Sequence, residues 1–122
     1  MLKASKDFQQ FARCAYGFRA EIAANMHVLV NNMHQNMVNM NDRSVWQPMG
    51  RNAIAFLEDA LRGPYSDDDL AEMWFRSGAE FSPEQDFIRE FLEDMLRELK
   101  YWQAQKEAGT FIALQDNGQP FE

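Results

Sequence analysis

Two histidines and a run of methionines come closest to a chemical site in this chain. Met26-His27 and Met33-His34 repeat at a spacing of seven residues, and Met37 and Met40 follow. Thioether and imidazole are both copper ligands. Seven residues make two helical turns, so both rings share a face, but they stand about 10.5 Å apart along the axis at ~1.5 Å per residue, too far to share one ion. The methionines also fall on an apolar stripe, where an unbranched thioether fills gaps in a core. The expectation is core methionines, surface or partly buried histidines, no metal and no cofactor. A di-iron bundle would require Glu-x-x-His, and neither His27 nor His34 has an acid three residues before it.

The carboxylates form the second candidate. Asp67, Asp68, Asp69 and Glu72 crowd one segment, but without the alternating ligands, central glycine and closing glutamate of a calcium loop. Cys14, the single cysteine, lacks the neighbours of a nucleophile. No glycine-rich phosphate loop, GxSxG elbow or zinc spacing occurs. The chain is expected not to be an enzyme.

Charge is divided unequally along the chain. Residues 1–57 carry six basic side chains and three acids, whereas residues 58–122 carry sixteen acids and six bases, within a net charge of −7. Between 58 and 98, thirteen acids face four arginines. Such a surface repels nucleic acid and anionic lipid and attracts a basic protein. No apolar run approaches the ~20 residues of a membrane span. The N-terminus shows no signal peptide, and one cysteine forms no internal disulfide, so a cytoplasmic location is expected.

The elements that must position these residues are helical. Phe8, Phe11, Ala15, Phe18, Ile22, Met26, Leu29, Met33, Met37 and Met40 recur every three or four residues, which predicts a helix over 6–41 started by Ser5. Such a helix would be about 54 Å long, against roughly 35 Å for a compact domain of this size. It must break, project, or lie along a second copy. Gly17 and Asn25 are its weakest helix formers, so a kink or break is expected between 17 and 26. Asn41–Ser44 reads as a polar turn. A second helix is expected from near Pro48 to Arg62, with Met49, Ala53, Phe56, Leu57 and Ala60 inward. Ser66-x-x-Asp69 is a capping-box signal for a short third helix with Leu70, Met73 and Trp74 inward and Ser77-Gly78 as its stop. Ser82-Pro83-Glu84-Gln85 opens a fourth, running to about Glu107 and closed by Gly109. Its broad face holds Phe87, Ile88, Phe91, Leu92, Met95, Leu96, Leu99 and Trp102, and Glu93–Arg97 is spaced as an ion pair. The fold class is thus all-α: one domain over 1–122, a four- to five-helix antiparallel bundle with an irregular tail over 109–122.

From Ala55 to Leu99 the chain runs through Ala-Phe-Leu-Glu-Asp-Ala-Leu, a Gly-Pro-Tyr turn, Ser-Asp-Asp-Asp-Leu, Gly-Ala-Glu-Phe and Phe-Ile-Arg-Glu-Phe-Leu. This stretch of about 45 residues resembles the helical immunity proteins of bacterial contact-dependent growth inhibition systems. The resemblance implies a cytoplasmic antidote that occludes its cognate toxin domain, which is often a nuclease with a basic cleft. Charge and position, independently of the family, nominate Tyr65, Asp67, Asp68, Asp69, Glu72, Glu80, Glu84 and Asp86 as partner-binding residues. Tyr65 is the expected aromatic anchor, with Trp46, Trp74 and Phe81 near the acidic segment. The alternative is a helical homodimeric adaptor that pairs two copies through the Phe/Met stripe of helix one.

Overall fold

The computed structural model describes residues 2–14, 25–40, 42–78, 83, 85–115 and 117–120. Among them, five α-helices form a bundle and no strand appears beyond a single antiparallel bridge between Leu114 and Pro120. The helices are α1 (Lys6–Arg13), α2 (Met26–Met40), α3 (Arg43–Arg62), α4 (Asp67–Arg76) and α5 (Ile88–Ala108). A short 3₁₀ turn, Gln85–Phe87, precedes α5. No described helix is long and apolar enough to cross a membrane.

Among the described residues, two helices stand where one was expected over 6–41. Ser5 starts α1 by accepting from the Phe8 amide, and α1 stops at its C-cap, Cys14. Asn25 then starts α2, its side chain accepting from the Val28 amide at 3.3 Å. Phe11 and His34, 23 residues apart, stack with ring centroids 5.0 Å apart; one straight helix would separate them by about 35 Å. The described helices α1 and α2 are therefore folded onto each other and are not one straight helix. Of the weak helix formers Gly17 and Asn25, only Asn25 lies within the described residues. Phe8, Phe11, Leu29 and Met33 from both helices are fully buried in one core. That removes the overlong rod on which a two-copy pairing rested.

The second helix starts earlier than expected. Asp42 is the N-cap of α3, its carbonyl accepting from the Val45 and Trp46 amides, so Arg43 and Ser44 are helical rather than a turn. Pro48 lies in the second turn, where it forfeits one backbone bond. Trp46, 8 % exposed, and Gly50 join the buried face with Ala53, Leu57 and Ala60. The α4 start is as read: Ser66 Oγ accepts from the Asp69 amide and Asp69 Oδ2 accepts from the Ser66 amide, a reciprocal pair worth about 1 kcal/mol. Leu70, Met73 and Trp74 point inward, and Gly78 ends the helix in the left-handed region that a side chain disfavours.

The 21-residue α5 packs against α2, α3 and α4, while α1 lies on α2 and α3. Its α-helical start is Ile88, five residues beyond Pro83; Ser82 and Glu84 lie outside the described residues. Ile88, Leu92, Met95, Leu99 and Trp102 are buried as expected, whereas Phe87 is 54 % exposed. The 3₁₀ turn, with three residues per turn, takes it off the inward stripe. Gly109 closes α5 with φ 77°.

The tail packs. Asn31 Nδ2 donates to the Ile112 carbonyl and Asn31 Oδ1 accepts from the Leu114 amide, both at 2.8 Å. One buried carboxamide thus does for residues 112–114 what a neighbouring strand would do. Gln35 Nε2 donates to the Leu114 carbonyl at 2.8 Å, and Phe111 stacks edge-on against Trp102 at 5.5 Å.

Candidate functional site

The α4 cap projects the acids nominated from sequence. Ser66 fixes the helix start, so Asp67, Asp68 and Asp69 occupy the first turn, where the positive end of the helix dipole favours them. Asp67 and Asp68 are exposed, and Asp69 is half-buried as the cap partner. Asp67 receives Arg89 Nε at 3.2 Å, and Glu72 pairs with Arg76 at 2.7 Å. Arg89 also donates to the Tyr65 carbonyl at 2.9 Å, which ties α5 to the Gly63–Ser66 turn. The Tyr65 ring is half-buried against Gly63 and the core rim. Glu80, Glu84 and Phe81 lie outside the described residues.

Asp86, nominated from sequence, is exposed in the 3₁₀ turn and begins a stripe of acids that continues onto α5. Asp86, Glu90 and Glu93 follow at helical spacing, all exposed, and none has an ion-pair partner among the described residues. Arg97 pairs with Asp94 at 2.7 Å instead of the expected Glu93, because either neighbour is within a helical turn's reach. Two phenylalanines are exposed on these elements: Phe87, beside Asp86, and Phe75 on α4, 73 % exposed in the same helical segment as Glu72 and Arg76. The 3₁₀ turn contacts both α4 and α5. Exposed phenylalanine loses hydrophobic stabilisation of about 1.5–3 kcal/mol, so neither position is explained by folding. Trp46 and Trp74, by contrast, are buried.

A second group of polar residues lies inside the bundle. Lys106, 4 % exposed, places Nζ 3.1 Å from His34 Nδ1, 4.5 Å from the Trp46 ring and 5.9 Å from Phe11. Burial lowers the Lys106 pKa to about 8, while charge on Cys14 and Glu107 works the other way. His34 is fully buried rather than at the surface, and burial, then the Lys106 ammonium, hold it well below its ordinary 6.5. The Leu99 backbone weakly favours the protonated ring, short of a hydrogen bond: His34 Nε2 has no partner among the described residues. Burial pushes the Cys14 thiol up, with Lys106 opposing. Beside them Glu107 accepts from Arg51 at 2.5 Å, Gln103 at 2.9 Å and Gln47 at 3.3 Å. Those donors lower its pKa to about 2, Arg51 first. Lys106 continues the register Leu92, Met95, Leu99, Trp102, and this phase was the sequence signal for its burial.

His27 stands apart, its Nδ1 2.7 Å from Glu98 Oε1 and its ring 4.7 Å from Trp102. No three His, Cys, Asp or Glu side chains converge on a metal-sized site among the described residues. Lys106 and His34 are buried, so this cluster has the character of a structural polar core. The acidic surface with its two phenylalanines has the character of a docking face. No protein-family model, curated protein or solved structure matches the chain.

Proposed function

We propose that this chain is an immunity-type inhibitor, a helical cytoplasmic protein that neutralises a cognate toxin domain by covering its basic active or substrate-binding surface. The observation that carries the reading is the exposure of Phe75 and Phe87 on elements that also carry exposed Asp86, Glu90 and Glu93, which have no ion-pair partner among the described residues. Large apolar side chains ringed by charge are the composition of an interface hot spot and its rim. The net charge of −7 steers a basic partner towards the face and repels phosphate backbones, as competition with a nuclease's substrate requires. The acids Asp67, Asp68, Asp69 and Glu72 extend the same face along α4. The stretch from Ala55 to Leu99, which resembles the contact-dependent inhibition immunity proteins, contains nearly all of it.

The experiment is capture from the native host at moderate salt, followed by co-expression of the captured domain with this chain. A toxic basic domain whose growth arrest is relieved by the wild type, but not by Phe75→Ala/Phe87→Ala, fulfils the reading. Capture of the bait alone, or relief indifferent to both phenylalanines and to charge reversal at 67–69, overturns it.

A further inference from the structure

One cavity runs against the charge of the rest of the molecule. It encloses about 310 Å³ and is lined by Leu2, Lys3, Ala4, Gln9, Met73 and Arg76. Two of the six are cations, Lys3 and Arg76, the latter also paired with Glu72 at 2.7 Å, and none of the six is an acid, in a chain where acids outnumber Lys and Arg by 19 to 12. A third cation stands behind them: Arg13 Nη2 donates to Gln9 Oε1 at 3.4 Å. The Arg13 side chain lies along the end of α4, with Cγ 3.0 Å from the place a Gly78 Cβ would occupy. Leu2, Ala4 and the core residue Met73 supply an apolar wall. Gln9 is fixed by its bond to the Ala4 carbonyl at 3.0 Å, which also holds the chain before Ser5 against α1.

A volume near the lower end of the roughly 300–1,000 Å³ typical of small-ligand clefts fits a short molecule. Apolar walls with clustered guanidinium and ammonium groups select an anionic head on an apolar body. We propose that this cavity binds a small apolar carboxylate, its carboxylate facing Lys3 and Arg76 and its hydrocarbon against Leu2 and Met73. The site lies at the C-terminal end of α4, about 14 Å along the helix from Asp67 at ~1.5 Å per residue. It shares Arg76 with the Arg76–Glu72 pair at the edge of the acidic face, so Lys3→Gln, which lies off α4, separates its failure from that of the inhibitor reading.

The test is an NMR titration of the full chain with octanoate, with 1-octanol as the uncharged probe of matched length. Octanoate is expected to shift the amides of Leu2, Lys3, Ala4, Gln9, Met73 and Arg76 at low-millimolar concentration, and octanol to bind about tenfold more weakly. Lys3→Gln/Arg76→Gln is expected to weaken octanoate by about tenfold while its circular dichroism stays that of the wild type. If the double variant is misfolded, Lys3→Gln alone, on an exposed side chain, makes the same comparison. Absence of shifts, equal binding of octanoate and octanol, or undiminished binding by the folded variant would each overturn the proposal.

Discussion

Raising the pH above 8 should stabilise the folded chain relative to a Lys106→Met variant. In the folded state Lys106 titrates at about 8, against an ordinary 10.5. Below pH 8 both folded and unfolded chains hold the proton, and the full penalty of a buried ammonium is present. Between 8 and 10.5 the unfolded chain retains a proton that the folded chain has released, so stability rises with pH. Each pH unit is worth about 1.4 kcal/mol, which gives about 3 kcal/mol across the window. Lys106 is 4 % exposed, so solvent screening takes little from this figure. Methionine keeps the stem's volume and removes the titration. Cys14 titrates in the same range with the opposite sign, because its raised folded pKa makes stability fall as pH rises past its ordinary 9.0. Both proteins should therefore carry Cys14→Ala. Urea unfolding followed by tryptophan fluorescence at pH 7.5, 9 and 10.5 gives the two stability curves, and their difference should climb by about 2–3 kcal/mol. A difference flat to within about 0.5 kcal/mol would show that the Lys106 amine reaches water, and the buried-ammonium argument would fail.

Four other outcomes are expected. Gly50→Ala should destabilise by about 1–2 kcal/mol: its Cβ would press on the Gln103 amide, which donates to the Gln47 carbonyl and to Glu107. Adding Gln103→Ala should relieve most of that loss in a chemical-denaturation cycle. Glu107, depressed to about 2, contributes stability present above its ordinary 4.5 and lost as pH falls through the folded value. Glu107→Gln should flatten that acid limb by about 1–2 kcal/mol once screening is allowed for, read from melting points between pH 5 and 2. Reversing Asp86, Glu90 and Glu93 to lysine should leave the thermal melt within a few degrees of wild type, since none has an ion-pair partner among the described residues, but should slow association, measured by stopped flow, with the partner domain that the proposed inhibition requires. Asn31→Ala should speed hydrogen exchange at Leu114 by at least about tenfold, with little change at Leu92.

The parts of the fold legible in the sequence were those written in local chemistry. Ser66 with Asp69, the Ser77-Gly78 stop and Gly109 each fixed a helix end through two or three adjacent residues. The 3.6 periodicity from Phe8 to Met33 was real but ambiguous. Two helices that face one core can keep the same inward phase, so periodicity does not reveal that α1 and α2 are separate. Pro48 was misleading because a proline is accepted in the second turn of a helix as well as the first. Phe87 fell on an α-helical stripe and left it through a 3₁₀ turn. Of the candidate face, the acids were legible from charge alone, whereas the exposure of Phe75 and Phe87 depends on which side of each element meets the core. Lys106 and His34 lie in phase with buried neighbours, but their charged and polar types argue for solvent until the surrounding rings are seen.

The clasp that Asn31 makes on residues 112–114 also sets an order of events during synthesis. Its acceptor and donor meet partners 83 and 81 residues later in the chain. At roughly 5–20 residues per second, α2 leaves the ribosome several seconds before the segment that satisfies it. In that interval the part of α2 around Asn31 and Gln35 that residues 112–114 will cover has only water or a chaperone against it. Closure of the domain is thus among the last steps to finish, and the nascent chain stays open to capture until its C-terminal segment arrives.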